Sequence, residues 1–80
     1  MQSKLRRQCF ERDDWRCRHC GNRNGLHPHH IVYKSQGGKD ELDNLLTLDW
    51  ICHRAVHENH LVVIVEDGII KFERKRNWKP

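Results

Sequence analysis

Two cysteines spaced two residues apart, Cys17 and Cys20, constrain this chain most, because 80 residues offer little else to hold a fold together. Ordering a chain costs roughly 1.5 kcal/mol per residue, and so small a domain buries too little apolar surface to offset that comfortably. Domains of this size need a staple, either disulfides or a structural metal. Cys17-Arg18-His19-Cys20-Gly21 reads as a tight knuckle that points two thiolates at one zinc ion, with Gly21 free to take positive φ. Further along, Asp49-Trp50-Ile51-Cys52 has the same spacing with a carboxylate where a thiolate is expected. A carboxylate binds zinc at about 2.0–2.2 Å, so Cys17, Cys20, Asp49 and Cys52 form an acceptable zinc set. Oxygen is a harder ligand than sulfur and should hold the ion less tightly. Cys9 is the alternative fourth ligand, on an expected helix eight residues before the knuckle. The bland reading keeps Cys9 and Cys52 as small buried hydrophobes with no zinc.

The start, Gln2-Ser3-Lys4-Leu5-Arg6-Arg7, is polar and basic, so no signal peptide is expected. No run reaches the ~18 apolar residues of a membrane helix. These features lead to the expectation of a cytoplasmic, reducing compartment with no membrane partner, where cysteines serve as metal ligands before disulfides. The net charge is +4 with seven histidines left uncounted. Basic residues gather near the start (Lys4, Arg6, Arg7, Arg12, Arg16, Arg18) and at the end (Lys71, Arg74, Lys75, Arg76, Lys79). Such patches suit a polyanion, since each neutralised phosphate releases counterions. A merely solvated surface has the same composition, and Glu11, Asp13 and Asp14 weaken the first patch.

Local patterns predict an α+β chain that forms one domain over residues 1–80. Ser3 can cap a helix through about Asp13, with Leu5, Cys9 and Phe10 turned inward. Leu26 to Tyr33 reads as a strand disturbed at Pro28, and Asn44 to Leu48 as a second short strand after the loop Ser35–Lys39. A helix is expected from about Asp49–Cys52 to Asn59. Leu61–Val65 and Ile69–Glu73 flank Asp67-Gly68, the pattern of a β-hairpin.

The histidines carry the chemistry. His29 and His30 are neighbours on a strand, so their side chains leave opposite faces and one can bind a metal while the other stays free as a base. His53 and His57 stand four apart on a helix, one above the other. Together His29, His53 and His57 supply three nitrogen ligands and leave coordination positions open for water and substrate, as a catalytic site requires. His27 shares the strand face of His29 in a supporting role. His60 ends the helix or substitutes as a ligand, and His19 reads as a surface residue. Trp15 and Trp50 read as core. Trp78 either stacks on a base or sugar or covers the hairpin.

Read in order, Cys17-x-x-Cys20-Gly21, His29-His30-Ile31-Val32, Gly37-Gly38, Asn44-Leu45, Cys52-His53 and His57 resemble the HNH endonuclease family, as does the approach Arg12-Asp13-x-Trp15-x-Cys17. The resemblance covers about residues 9–57, with a motif core of about 9–60 and a hairpin and basic tail over 61–80 outside it. It implies a small ββα-metal (His-Me finger) fold with an N-terminal helix, a zinc knuckle and a C-terminal hairpin. It implies that His30 is the general base, that His29, His53 and His57 hold one catalytic divalent cation (magnesium, manganese or a similar transition metal), and that Asn44 holds the loop and orients the base. It further implies one structural zinc, for which Asp49 replaces an expected cysteine. The activity implied is hydrolysis of DNA phosphodiester bonds to 5′-phosphate and 3′-hydroxyl ends, by nicking as a monomer or double-strand cutting as a homodimer. Arg6, Arg7, Lys34, Lys75, Arg76 and Trp78 are the expected DNA contacts. The rival expectation is a non-catalytic zinc-binding DNA module, or an accessory subunit of a phage packaging or restriction assembly. Phage or bacterial origin follows from the family alone.

Overall fold

The computed structural model describes residues 3–76 and Trp78; Lys79 lies outside the described residues. The chain runs through helix α1 (Ser3–Arg12), strand β1 (Leu26–His30), strand β2 (Leu45–Asp49), helix α2 (Trp50–His57), and strands β3 (Leu61–Glu66) and β4 (Ile69–Arg74). Short 3-10 turns at Lys34–Gln36 and Leu42–Asn44 interrupt the crossing from β1 to β2. β1 and β2 pair antiparallel, as do β3 and β4, giving two separate two-stranded ladders. Among the described residues no helix is long and apolar enough to cross a membrane.

β2, with the sequence Leu-Leu-Thr-Leu-Asp, is buried at every position, because each of its faces is covered by a helix. Leu46 and Leu48 point into a cluster with Cys17, Cys52, Ala55, Val56 and Leu61, against which Ile31, Val63, Ile70, Phe72 and Trp78 pack. Thr47 looks the other way, its hydroxyl 3.4 Å from Cys9 Sγ on α1 and donating to the Cys9 carbonyl. One short strand thus ties α1, α2 and the hairpin into a common core. This arrangement resolves the isolated-hairpin problem, since a lone two-stranded ribbon is only marginally stable in water.

The element boundaries have local causes. Asp49 caps α2 by accepting the Cys52 backbone amide at 2.7 Å. At its other end, Asn59 takes φ 62°, and the amides of Asn59 and His60 return to the carbonyls of Val56 and Ala55. That left-handed stop releases the chain into β3. Asp67 and Gly68, at φ 52° and 76°, make the tight turn between β3 and β4. β1 is shorter than the expected strand to Tyr33. It ends at His30 because the Asn44 side chain takes over the pairing, accepting the Val32 amide at 2.8 Å and donating to the Val32 carbonyl at 3.0 Å.

Two tryptophans expected in the core lie at the surface. Trp15 is 45% and Trp50 53% exposed. Trp15 leans on Phe10, with ring centroids 5.3 Å apart. Trp50 is the first residue of α2 and spreads over Gly25, where a Cβ would come within 2.5 Å of its ring. Two arginines of the N-terminal basic group also turn inward. Arg12 and Arg18 each reach the buried Asp13 at 2.8 Å, and Asp13 accepts the Thr47 amide at 3.0 Å. Arg12 spends its other N–H groups on the Leu42 and Leu45 carbonyls. These two cations therefore stitch α1, the knuckle and β2 together.

Candidate active site and metal centres

In the β1–β2 ladder His29 stands opposite Leu46 and His30 opposite Leu45. Cross-strand partners share a face of the sheet, so His29 follows Leu46 toward α2 while His30 faces away. On α2, His53 and His57 rise from consecutive turns to meet His29. One ring nitrogen of each lies within 4.8 Å of the other two. The rings stand edge to face, with interplanar angles of 74° between His29 and His53, 75° between His53 and His57, and 88° between His29 and His57. Nε2 of His53 and Nε2 of His57 are 3.2 Å apart. Two imidazoles on one tetrahedral ion, each at about 2.0–2.1 Å, would sit at nearly that separation. The donor set fits a divalent transition metal.

Electrostatics prepares the same site. His29 is 3% exposed, and burial, followed by the nearness of His53, His57 and His30, lowers its pKa to about 4. His53 is lowered as well, by burial and then by His57 and His27. Neutral imidazoles are the form that binds metal, so a cation meets no competing proton at His29 or His53 at neutral pH. Tyr33 and His27 complete the walls, neither of them a ligand in this cluster. The Tyr33 ring lies parallel to His57 at 5.8 Å, and His27 stacks on His53 at 5.5 Å. A cavity of about 210 Å³ opens beside His29, lined also by Tyr33, Gln36, Asn59 and Val63. His60 stands outside the triad, 3.5 Å from Glu58.

His30 occupies the last position of β1 and points into the loop that follows. Its Nε2 lies 2.6 Å from Asp40 Oδ1, and Asp40 Oδ2 accepts from Lys34 Nζ at 3.2 Å. Asp40 is held below the usual carboxylate range by its hydrogen bonds to His30 and then Lys34. Motif reading passed over Asp40, although a carboxylate ten residues after a free histidine, across a Gly-Gly turn, was a usable signal. Asn44 does not reach the imidazole. It closes the loop, bonding Val32 on both backbone atoms and the Lys39 carbonyl at 3.0 Å, and so places Asp40 one residue further on. Gly38 is required in this loop, because a Cβ there would fall 1.8 Å from the Val32 carbonyl oxygen.

The second cluster gathers Cys17 and Cys20 from the knuckle with Asp49 and Cys52 from the β2–α2 junction, each offering a ligand atom within 4.8 Å of the others. Cys9 is not among them; it is buried against Thr47. All four cysteines are unpaired thiols in this fold. Cys17 Sγ receives the backbone amides of His19 and Cys20 at 3.4 and 3.5 Å, which orient it as an acceptor. Burial and then Asp49 push the Cys20 thiol up to about 11, and Cys52 is raised by burial, Asp49 and Cys17. Crowded sulfurs that resist ionisation by themselves are what a zinc ion deprotonates when it binds. The residues fit structural zinc, and Asp49 can offer a ligand oxygen to it while it caps α2.

The expected DNA contacts lie on three segments of the chain. Arg6 lies over the Phe10 ring at 5.4 Å and Arg7 pairs with Glu11 at 3.5 Å, both on the exposed face of α1. Lys34 is tied to Asp40, while Lys75 and Arg76 are exposed after β4. Trp78 is half-buried against the core, with the Arg74 guanidinium over its ring at 5.1 Å. His19, expected at the surface, is half-buried. Its ring packs between Phe72 and Trp78 at 5.1 and 5.9 Å, and its Nδ1 lies 3.3 Å from Cys52 Sγ.

Comparison with known proteins identifies one relationship. The model of the HNH endonuclease family matches residues 17–59, more than half of the chain, from the knuckle through the end of α2. No curated protein and no solved structure matches the chain significantly.

Proposed function

Since this chain belongs to the HNH endonuclease family, we propose that it is a metal-dependent DNA endonuclease with His30 as general base, acting at the site held by His29, His53 and His57. The convergence of these three imidazoles from β1 and α2 is the observation that carries the reading. A divalent cation bound there supplies Lewis-acid stabilisation of the charge that builds on the phosphate and the leaving 3′ oxygen.

The chain's own residues do the rest. His30 Nε2–H donates a hydrogen bond to the Asp40 carboxylate, which leaves the lone pair of the neutral ring on Nδ1. Nδ1 then takes a proton from the attacking water, and the carboxylate stabilises the imidazolium that forms, as the third member of a hydrolytic triad does. Asn44 keeps the loop closed, so that Asp40 stays against the ring. Cys17, Cys20, Asp49 and Cys52 hold zinc as a scaffold, and the cap on α2 links that scaffold to the helix bearing His53 and His57. Arg6, Arg7, Lys34, Lys75 and Arg76 are the basic side chains offered to the DNA backbone. One such site per chain cuts one strand per encounter, so double-strand breaks require two copies.

Relaxation of supercoiled plasmid tests this. Cleavage should require a divalent ion, stop with EDTA and return with manganese or magnesium. His30→Ala should abolish it while zinc content and fold persist. Full activity in His30→Ala would refute the base assignment, and DNA binding without cleavage under every metal would refute the enzyme.

A further inference from the structure

Cys52 has a partner that no motif spacing announces. We infer that His19 donates an N–H···S hydrogen bond from Nδ1 to the zinc-bound Cys52 thiolate and so controls how firmly the knuckle keeps its metal. The inference rests on the zinc reading above.

A thiolate bound to zinc carries no proton, so at the 3.3 Å contact the hydrogen lies on Nδ1. The need is specific to Cys52. Three thiolates and a carboxylate bring four negative charges to a doubly charged ion, and the excess is spread by N–H donors around the sulfurs. Cys17 has two backbone amides for this purpose and Cys20 has that of Asn22. Cys52 sits inside α2, where the backbone amides are committed to the helix and its cap, and the donor that reaches its sulfur comes from the knuckle's own middle residue. His19 is held in place by its neighbours: Phe72 of β4 meets its ring edge-on at 62°, and Trp78 closes on it at 45°. The hairpin therefore presses on the zinc cluster through a single imidazole. This explains why the half-buried Trp78 and β4 pack here although they lie outside the matched family segment.

The test separates donor from ring. His19→Phe keeps an aromatic plate between Phe72 and Trp78 but has no N–H. His19→Asn places an amide N–H where Nδ1 was and discards the plate. The whole protein is loaded with cobalt(II), whose sulfur-to-metal charge-transfer band reports thiolate coordination without interference from the histidine site. Zinc affinity is then read by competition. His19→Phe should weaken zinc binding about 10–100-fold and shift the charge-transfer band, and His19→Asn should recover most of both. Unchanged affinity and band in His19→Phe would overturn the inference and leave the zinc site standing. Equal loss in both variants would overturn it too, by assigning the effect to packing. A wild-type protein with no thiolate band at all would overturn the zinc site and this inference together.

Discussion

Acid should strip stability from this protein chiefly through the buried imidazole of His29, before any carboxylate is involved. Burial and three neighbouring histidines hold His29 at about 4 instead of 6.5. In the unfolded chain the ring protonates at its ordinary value, so between those two limits the unfolded state binds more protons than the folded one. Stability is therefore complete above about pH 6.5 and falls as the pH drops toward 4. A separation of about two and a half units at 1.36 kcal/mol per unit amounts to about 3 kcal/mol lost by pH 4. A chain of 80 residues has roughly 4–12 kcal/mol in all, so the loss is large. Asp13 and Asp49, both held below 3.8, lose their contribution only at still lower pH. Urea unfolding of the wild type and of His29→Gln, in steps from pH 7.5 to 4, isolates the effect. Both proteins share the knuckle and the remaining histidines, so those contributions largely cancel, and the wild type should lose about 3 kcal/mol more than the variant over this range. Carbon-13 shifts of the His29 ring should show the same depressed titration directly. Parallel stability curves, or a ring titrating near its ordinary value, would refute the account of a desolvated imidazole primed for metal.

Three further outcomes follow from the contacts. Asp40→Asn keeps the size of the side chain but withdraws the charge that stabilises the His30 imidazolium, so kcat for plasmid cleavage should fall about 10–100-fold with KM and zinc content little changed. Asp13→Ala strands Arg12, Arg18 and the Thr47 amide. Because each arginine side chain is about one-third exposed, the cost should be about 3 kcal/mol in denaturant titration, the low end for a broken buried pair. Gly38→Ala drives a methyl group into the Val32 carbonyl; it should cost about 1–3 kcal/mol and reduce cleavage through a displaced Asp40, measured beside unchanged zinc binding.

The match to residues 17–59 shows how far spacing alone reaches, and the local part of each ligand cluster has the same origin. Cys17 and Cys20 are bound by one reverse turn, and His53 and His57 by one turn of helix, so their proximity is local and readable from residue order. The hairpin was equally local, since Asp67-Gly68 sets its own register between β-branched runs. Trp15 and Trp50 misled for the opposite reason. Adjacency to ligand residues says nothing about which side of an element a ring takes, and here the small Gly25 and the edge of Phe10 received them at the surface.

Residue order by itself determined the local pairs Cys17/Cys20 and His53/His57, the strand–helix frame between them and the polar character of the loop, because those depend on periods and turns a few residues long. The folded structure decided that His29 meets His53 and His57, that Cys17 and Cys20 meet Asp49 and Cys52, that Arg12 and Arg18 turn inward to Asp13, and that His19 reaches Cys52. Arg12 and Arg18 lie within five residues of Asp13, and His30 within ten of Asp40, but the Asp13 contact to the Thr47 amide and the His19 contact to Cys52 join segments brought together only when β2 is buried between its helices. The energy of that burial belongs to the assembled core and to no single stretch of chain.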